Sequence, residues 1–303
     1  MRLLRARSFV ALLVALCLLT FAAACGRGDD DEEDDGPAGP EAADTQLTPY
    51  ASKGNEGSIA GVVNFSGAAP EARAISMSQD SVCESSNPTA KSEDVVVNGD
   101  KLQNVFVYLK DGRISDGQKG LNTLSFNAPS EPAVLDQKGC QYVPHVVGVM
   151  TRQKLSVLNS DQTAHNVNVQ ATRNEGFNSS QTAGQPPIEK TFLRAETLIP
   201  VKCNQHPWMR AYIGVLGHPF FAITGPEGKF EIKNVPPGTY TLVAWHERFK
   251  EKTLANVTVG ASETKGEQNF TFDAAAALNE LDGGSFTVLP ALELPSLAGG
   301  RHH

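Results

Sequence analysis

The residues most able to do chemistry lie close together in Cys203-Asn204-Gln205-His206-Pro207-Trp208-Met209. A thiol, an imidazole and a thioether fall within seven residues. They follow a strand-like run at 198–202 and precede another at 211–216. Upstream stands Asn159-Ser160-Asp161-Gln162-Thr163-Ala164-His165-Asn166-Val167, which adds a second imidazole. One cysteine, two histidines and a weak methionine form the donor set of copper electron-transfer sites. Soft sulfur favours Cu(I), imidazole suits Cu(II), and a constrained mixture lets both states share one geometry. The alternative for the loop is a buried structural cysteine beside unrelated polar residues.

The remaining histidines carry weaker signals. His145 follows Pro144 on the way to the His165 loop, and is either a third imidazole ligand or a histidine outside the donor set. His218 and His246 flank other strands and are expected as packing or rim residues. Trp208 is either an exposed electron port or loop packing. No Ser-His-Asp order, phosphate loop or carboxylate pair stands out, and the histidines are too few for a trinuclear copper cluster. The chain is therefore not expected to be an enzyme.

Positioning these groups requires a β framework. From residue 57 to 272 the sequence is short alternating runs broken by Gly, Pro, Asn and Asp, with no useful helical period. Lys229-Phe230-Glu231-Ile232-Lys233 alternates strictly, and Tyr240-Thr241-Leu242-Val243-Ala244-Trp245 is rich in β-formers. The fold class expected is all-β. Gly225-Pro226-Glu227-Gly228, an alternating strand, Pro236-Pro237-Gly238 and a further strand follow in order. This order resembles the carboxypeptidase regulatory-like domain, a prealbumin-like sandwich. That family's two opening strands correspond here to 57–65 and 105–109, far upstream of their partners. Residues 57–112 and 217–272 are therefore expected to form one sandwich, interrupted by an inserted domain at 113–216. Domains in tandem are the alternative.

The interrupting segment resembles the cupredoxins, most nearly plastocyanin-like domains with a Greek-key sandwich. Tyr142-Val143-Pro144, then 155–159, then His165-Asn166, then the Cys-His-Met loop keep that family's order. The resemblance implies copper, with His165 and His206 as imidazole ligands, Cys203 as thiolate and Met209 as axial ligand. Two residues separate His206 from Met209, where plastocyanins have four, and Arg152 stands where they have Gly. The shorter spacing occurs in the cupredoxin domain of cytochrome oxidase subunit II, which holds two coppers through two loop cysteines. With Cys203 alone in this loop, one copper is expected.

The ends set the location. Three arginines precede an apolar run at 9–24, too short to span a bilayer comfortably, which ends Ala22-Ala23-Ala24-Cys25. This resembles the lipobox of bacterial lipoproteins, with Ala22 where Leu is usual. It implies cleavage before Cys25, a lipid on its sulfur, and a protein anchored in the cell envelope, periplasmic or on the cell surface. Ordinary secretion is the alternative. Residues 26–56 are expected to be an acidic disordered tether and 273–303 a disordered tail. With Cys17 in the signal, Cys25 lipidated and Cys203 on the metal, Cys83 and Cys140 remain. An oxidising compartment makes them the expected disulfide. The rival arrangement puts Cys203 in the bridge and destroys the metal site.

The 303 residues carry a formal net charge of −8, which excludes a basic nucleic-acid groove as the main theme. The function expected is a one-electron carrier whose partners are redox proteins such as cytochromes or an oxidase. The alternatives are a copper carrier or store, and a metal-free β-sandwich module binding carbohydrate or protein.

Overall fold

The computed structural model describes residues 47–274. The signal segment at 1–25, the lipid position Cys25, most of the acidic tether and nearly all of the tail lie outside these residues. The described chain is all-β but for one six-residue helix, Ser81–Ser86, and a short 3-10 turn.

Two sandwiches share the strands. In the outer one, Gly57–Ser66 pairs antiparallel with Lys229–Val235, and Phe106–Ile114 pairs antiparallel with Gly238–His246. The opening strands thus find their partners beyond residue 220. The strict alternation at 229–233 puts Phe230 and Ile232 inward, and a register shift after Ile232 then brings Val235 to the same core. Ile59, Val63, Leu109, Leu242 and Phe272 complete the packing.

The inner sandwich has two sheets. One runs Ile188–Thr191, Lys154–Asn159, Ala133–Gln137, Tyr142–Val143; the other runs Phe177–Gln181, His165–Val169, Glu196–Lys202, Arg210–Leu216, Val146–Met150. Leu135, Val149, Leu155, Val167, Val201 and Ile213 fill the space between them.

The packing does not follow boundaries at 112 and 113. Met77, Cys83 and Ala90, from between two outer strands, are buried in the inner core. Leu121 and Leu124 are buried in the outer one. Residues 47–56 also depart from the tether expected there. Thr48–Pro49 pairs with Leu124–Ser125, and the Tyr50 ring packs 5.3 Å from Phe126. Acidic composition upstream hides one aromatic side chain that has an apolar surface to cover.

The sandwiches meet through Phe106, Tyr108, Val146, Leu198, Leu216 and Val243. Gly148 and Gly214, register partners on adjacent strands, make room for two rings. A Cβ on Gly214 would stand 2.6 Å from Phe106 Cζ, and one on Gly148 would stand 2.1 Å from Phe221 Cε2.

Candidate metal centre

Two strand ends and one loop deliver the donors. His165 opens the strand His165–Val169. Cys203 follows Glu196–Lys202, and Met209 precedes Arg210–Leu216. Because those two strands are antiparallel neighbours, the loop must close on itself. It does so through Cys203 N–H to Met209 O (3.2 Å) and Met209 N–H to His206 O (2.9 Å).

The structure brings His165, Cys203 and His206 together, with one donor atom from each lying within 4.8 Å of the others. His165 Nδ1 is 3.0 Å from His206 Nδ1, and Cys203 Sγ is 3.7 Å from His206 Nδ1. The Asn166 N–H donates to Cys203 Sγ at 3.4 Å. All three side chains are buried, at 0%, 2% and 4% exposure. Met209, 1% exposed, sits in the same apolar cluster as Cys203.

The far nitrogen of each imidazole faces a carboxylate. His165 Nε2 is 2.9 Å from Asp161 Oδ2. Asp161 is itself fixed by the N–H groups of Gly139 (2.7 Å) and Cys140 (2.8 Å). His206 Nε2 is 3.4 Å from Asp80 Oδ2. Asp80 caps the short helix, accepting from Val82 N–H and Cys83 N–H, and takes a bond from Thr163 Oγ1 at 2.8 Å. A carboxylate behind an imidazole fixes its tautomer and raises its basicity as a metal ligand. Asp161 had a local signal, four residues before His165 within a polar loop. Asp80 had none.

The electrostatics suit a cation. Burial opposes charge on His165, yet its bonds to Asp161 and Cys203 raise its pKa to about 9. Burial pushes the Cys203 thiol up, but His165 and the backbone N–H groups outweigh it and hold the thiol below its ordinary value. Burial and the nearby His165 charge lower His206. A thiol held below its ordinary pKa and two imidazoles sharing its pocket form a donor set that fits copper.

Cys83 and Cys140 are joined, and Cys203 is free and buried. The bridge pins the short helix to the loop before the Tyr142 strand. Trp208 is half-buried, donates Nε1–H to Cys140 O at 3.0 Å, and lies 5.0 Å from the His206 ring.

His145 is placed elsewhere. Its Nε2 is 2.5 Å from Glu247 Oε1 of the outer sandwich, and Nδ1 is 3.8 Å from Glu93 Oε2. Burial lowers its pKa, but the two carboxylates prevail and raise it. His145 lines a cavity of about 480 Å³ with Glu93, Glu247, Trp208 and Met209. His218 and His246 pack against aromatic rings, and burial lowers them to about 4 and about 3.

Residues 205–273 match the model of the carboxypeptidase regulatory-like domain. No curated protein matches the sequence. Among solved structures, the chain is similar to a copper-containing nitrite reductase from Thermus scotoductus SA-01, at 20% identity and TM-score 0.26. That match covers 28% of this chain and 22% of the reductase. It is similar to a purple cupredoxin from Nitrosopumilus maritimus, at 19% identity and TM-score 0.24, over 27% of this chain and 98% of that one. It is also similar to an amicyanin variant, at 21% identity and TM-score 0.25, over 29% and 96%.

Proposed function

We propose that this protein is a mononuclear copper electron carrier, held in the cell envelope by lipid on Cys25 and exchanging electrons with other redox proteins such as cytochromes or an oxidase. The observation that carries the reading is the convergence of His165 Nδ1, His206 Nδ1 and Cys203 Sγ in a buried pocket. These three atoms would hold the ion, with the Met209 thioether as a weaker further donor. Bound copper supplies a one-electron couple.

The chain's own part is to keep the donors still. Asp161 and Asp80 fix the two rings from behind, the Asn166 N–H supports the sulfur, and the loop hydrogen bonds at 203–209 set the spacing. A site whose donors change little between oxidation states minimises rearrangement during transfer. Burial of all three donors favours electron transfer over delivery of copper, which needs an open route for the metal.

The test is copper loading of the full chain with an absorption spectrum. A thiolate ligand gives an intense visible band with reversible one-electron redox, and Cys203→Ser abolishes it. An unchanged band in Cys203→Ser refutes the assignment. A bound ion that stays colourless and inert to oxidants points to storage.

A further inference from the structure

The Cys83–Cys140 bridge lies against both candidate ligand rings. Cys83 Sγ is 3.9 Å from His206 Nε2. Cys83, Asp80 and His206 form one group of donor atoms within 4.8 Å, and Cys140, Asp161 and His165 form another. A staple between the helix and the neighbouring loop needs no such position. Both sulfurs are fully buried, so they face these groups and not water.

We propose that the two sulfurs, once reduced, hold a second Cu(I) ion beside the first site. A dithiol reductant gives two electrons and two protons to the bond and closes to its own disulfide, leaving two thiols. Cu(I) then displaces both thiol protons and forms two sulfur–copper bonds, with no change in its oxidation state. Two thiolates match the softness of Cu(I). Asp80 and Asp161, within 4.8 Å of the sulfurs, add oxygen donors and negative charge that suit a bound cation.

The two thiols stay opposed without their covalent bond. Asn87 Nδ2 donates to Gly139 O at 3.0 Å and to Gln141 Oε1 at 3.1 Å. Thr163 holds Asp80, and Trp208 holds the Cys140 carbonyl. An isolated bridge between Ala74 and Lys91 closes the base of the segment. These contacts keep the helix on the loop.

The experiment uses the full chain carrying Cys17→Ser and Cys25→Ser, so that only Cys83, Cys140 and Cys203 contribute thiol sulfur. The protein is treated with dithiothreitol, desalted without oxygen and titrated with Cu(I) against a chromophoric Cu(I) chelator. Alkylation and peptide mass then report which thiols the metal protects. One equivalent is expected for untreated protein and two for reduced protein, with Cys83 and Cys140 protected. Adding Cys203→Ser gives zero and one. Adding Cys83→Ser and Cys140→Ser instead gives one in both states. One equivalent in the reduced protein overturns the proposal. So does alkylation of Cys83 and Cys140 in the copper-loaded state, which also covers loss of the fold on reduction. A bond that resists dithiothreitol in the folded protein overturns it as well. Zero equivalents in the untreated protein and one in the reduced protein, with Cys203 intact, refutes the first site and leaves this one standing.

Discussion

Asp161 gives the sharpest test of the proposed metal centre. Its carboxylate accepts from His165 Nε2, Gly139 N–H and Cys140 N–H, so Asp161→Ala strands three donors in a region of low exposure. Each stranded buried donor costs about 1 to 3 kcal/mol, less where water enters the space left behind. The apo protein should therefore lose roughly 3 kcal/mol or more of unfolding free energy. Asp161→Asn is the cleaner change, because its amide oxygen still accepts from the two backbone groups. Its effect concentrates on His165, which loses a charged partner. Removing such a partner lowers metal affinity by about 10- to 100-fold, equivalent to about 1.4 to 2.7 kcal/mol. The proton count should change too. With its pKa at about 9, His165 is protonated at pH 8 in the metal-free chain and must release a proton when a metal binds Nδ1. Asp161→Asn lowers that pKa, so fewer protons leave per copper at pH 8. Competition against a chelator gives the affinity, and calorimetry in buffers of different ionisation enthalpy gives the protons. Wild-type affinity and wild-type proton release in Asp161→Asn would refute the role given to this carboxylate.

His145→Ala should leave the visible band of the copper-loaded protein in place while lowering stability by on the order of 3 kcal/mol, because a buried pair is broken and Glu247 is left with the Tyr212 hydroxyl; collapse of the band would put His145 among the ligands. Met209→Leu should retain copper and raise the reduction potential, measured by voltammetry, since losing a weak donor hurts Cu(II) more than Cu(I); an unchanged potential removes Met209 from the site. Gly148→Ala places a methyl group against the Phe221 ring and should cost about 1 to 3 kcal/mol in urea unfolding; a neutral result would mean the two sandwiches separate easily at that edge. For Glu196, burial raises the pKa but is outweighed by bonds from Thr172, Arg173 and Asn174, which hold it at about 2. A depressed carboxylate stabilises the fold above its unfolded pKa of about 4.3, and that contribution is lost as pH falls towards 2. Glu196→Gln should flatten the stability–pH curve in that window, and an unaltered curve there contradicts the assignment.

What the sequence determined by itself is local or ordered along the chain. Alternation at 229–233 set an inward face for Phe230 and Ile232, because side chains of a strand point to opposite sides in turn. The turns around Gly225 and Pro236 bounded the same strands. The order of the candidate donors also lay in plain view: Cys203, His206 and Met209 are loop neighbours, and His165 stands after an alternating strand. The displaced opening strands suggested an interrupted sandwich, with domains in tandem as the alternative. Tertiary structure alone decided the partners. Asp80 reaches His206 from a segment 126 residues earlier, because Met77, Cys83 and Ala90 are buried in the inner core and the bridge to Cys140 ties them there. His145 pairs with Glu247 only because the sandwiches dock across Gly148 and Gly214. Tyr50 orders the end of an acidic stretch because Phe126 leaves a ring-sized apolar surface to cover. Periodicity reports which face of an element is apolar. It carries no information about which distant polar group will be buried against it, since that depends on how whole sheets pack.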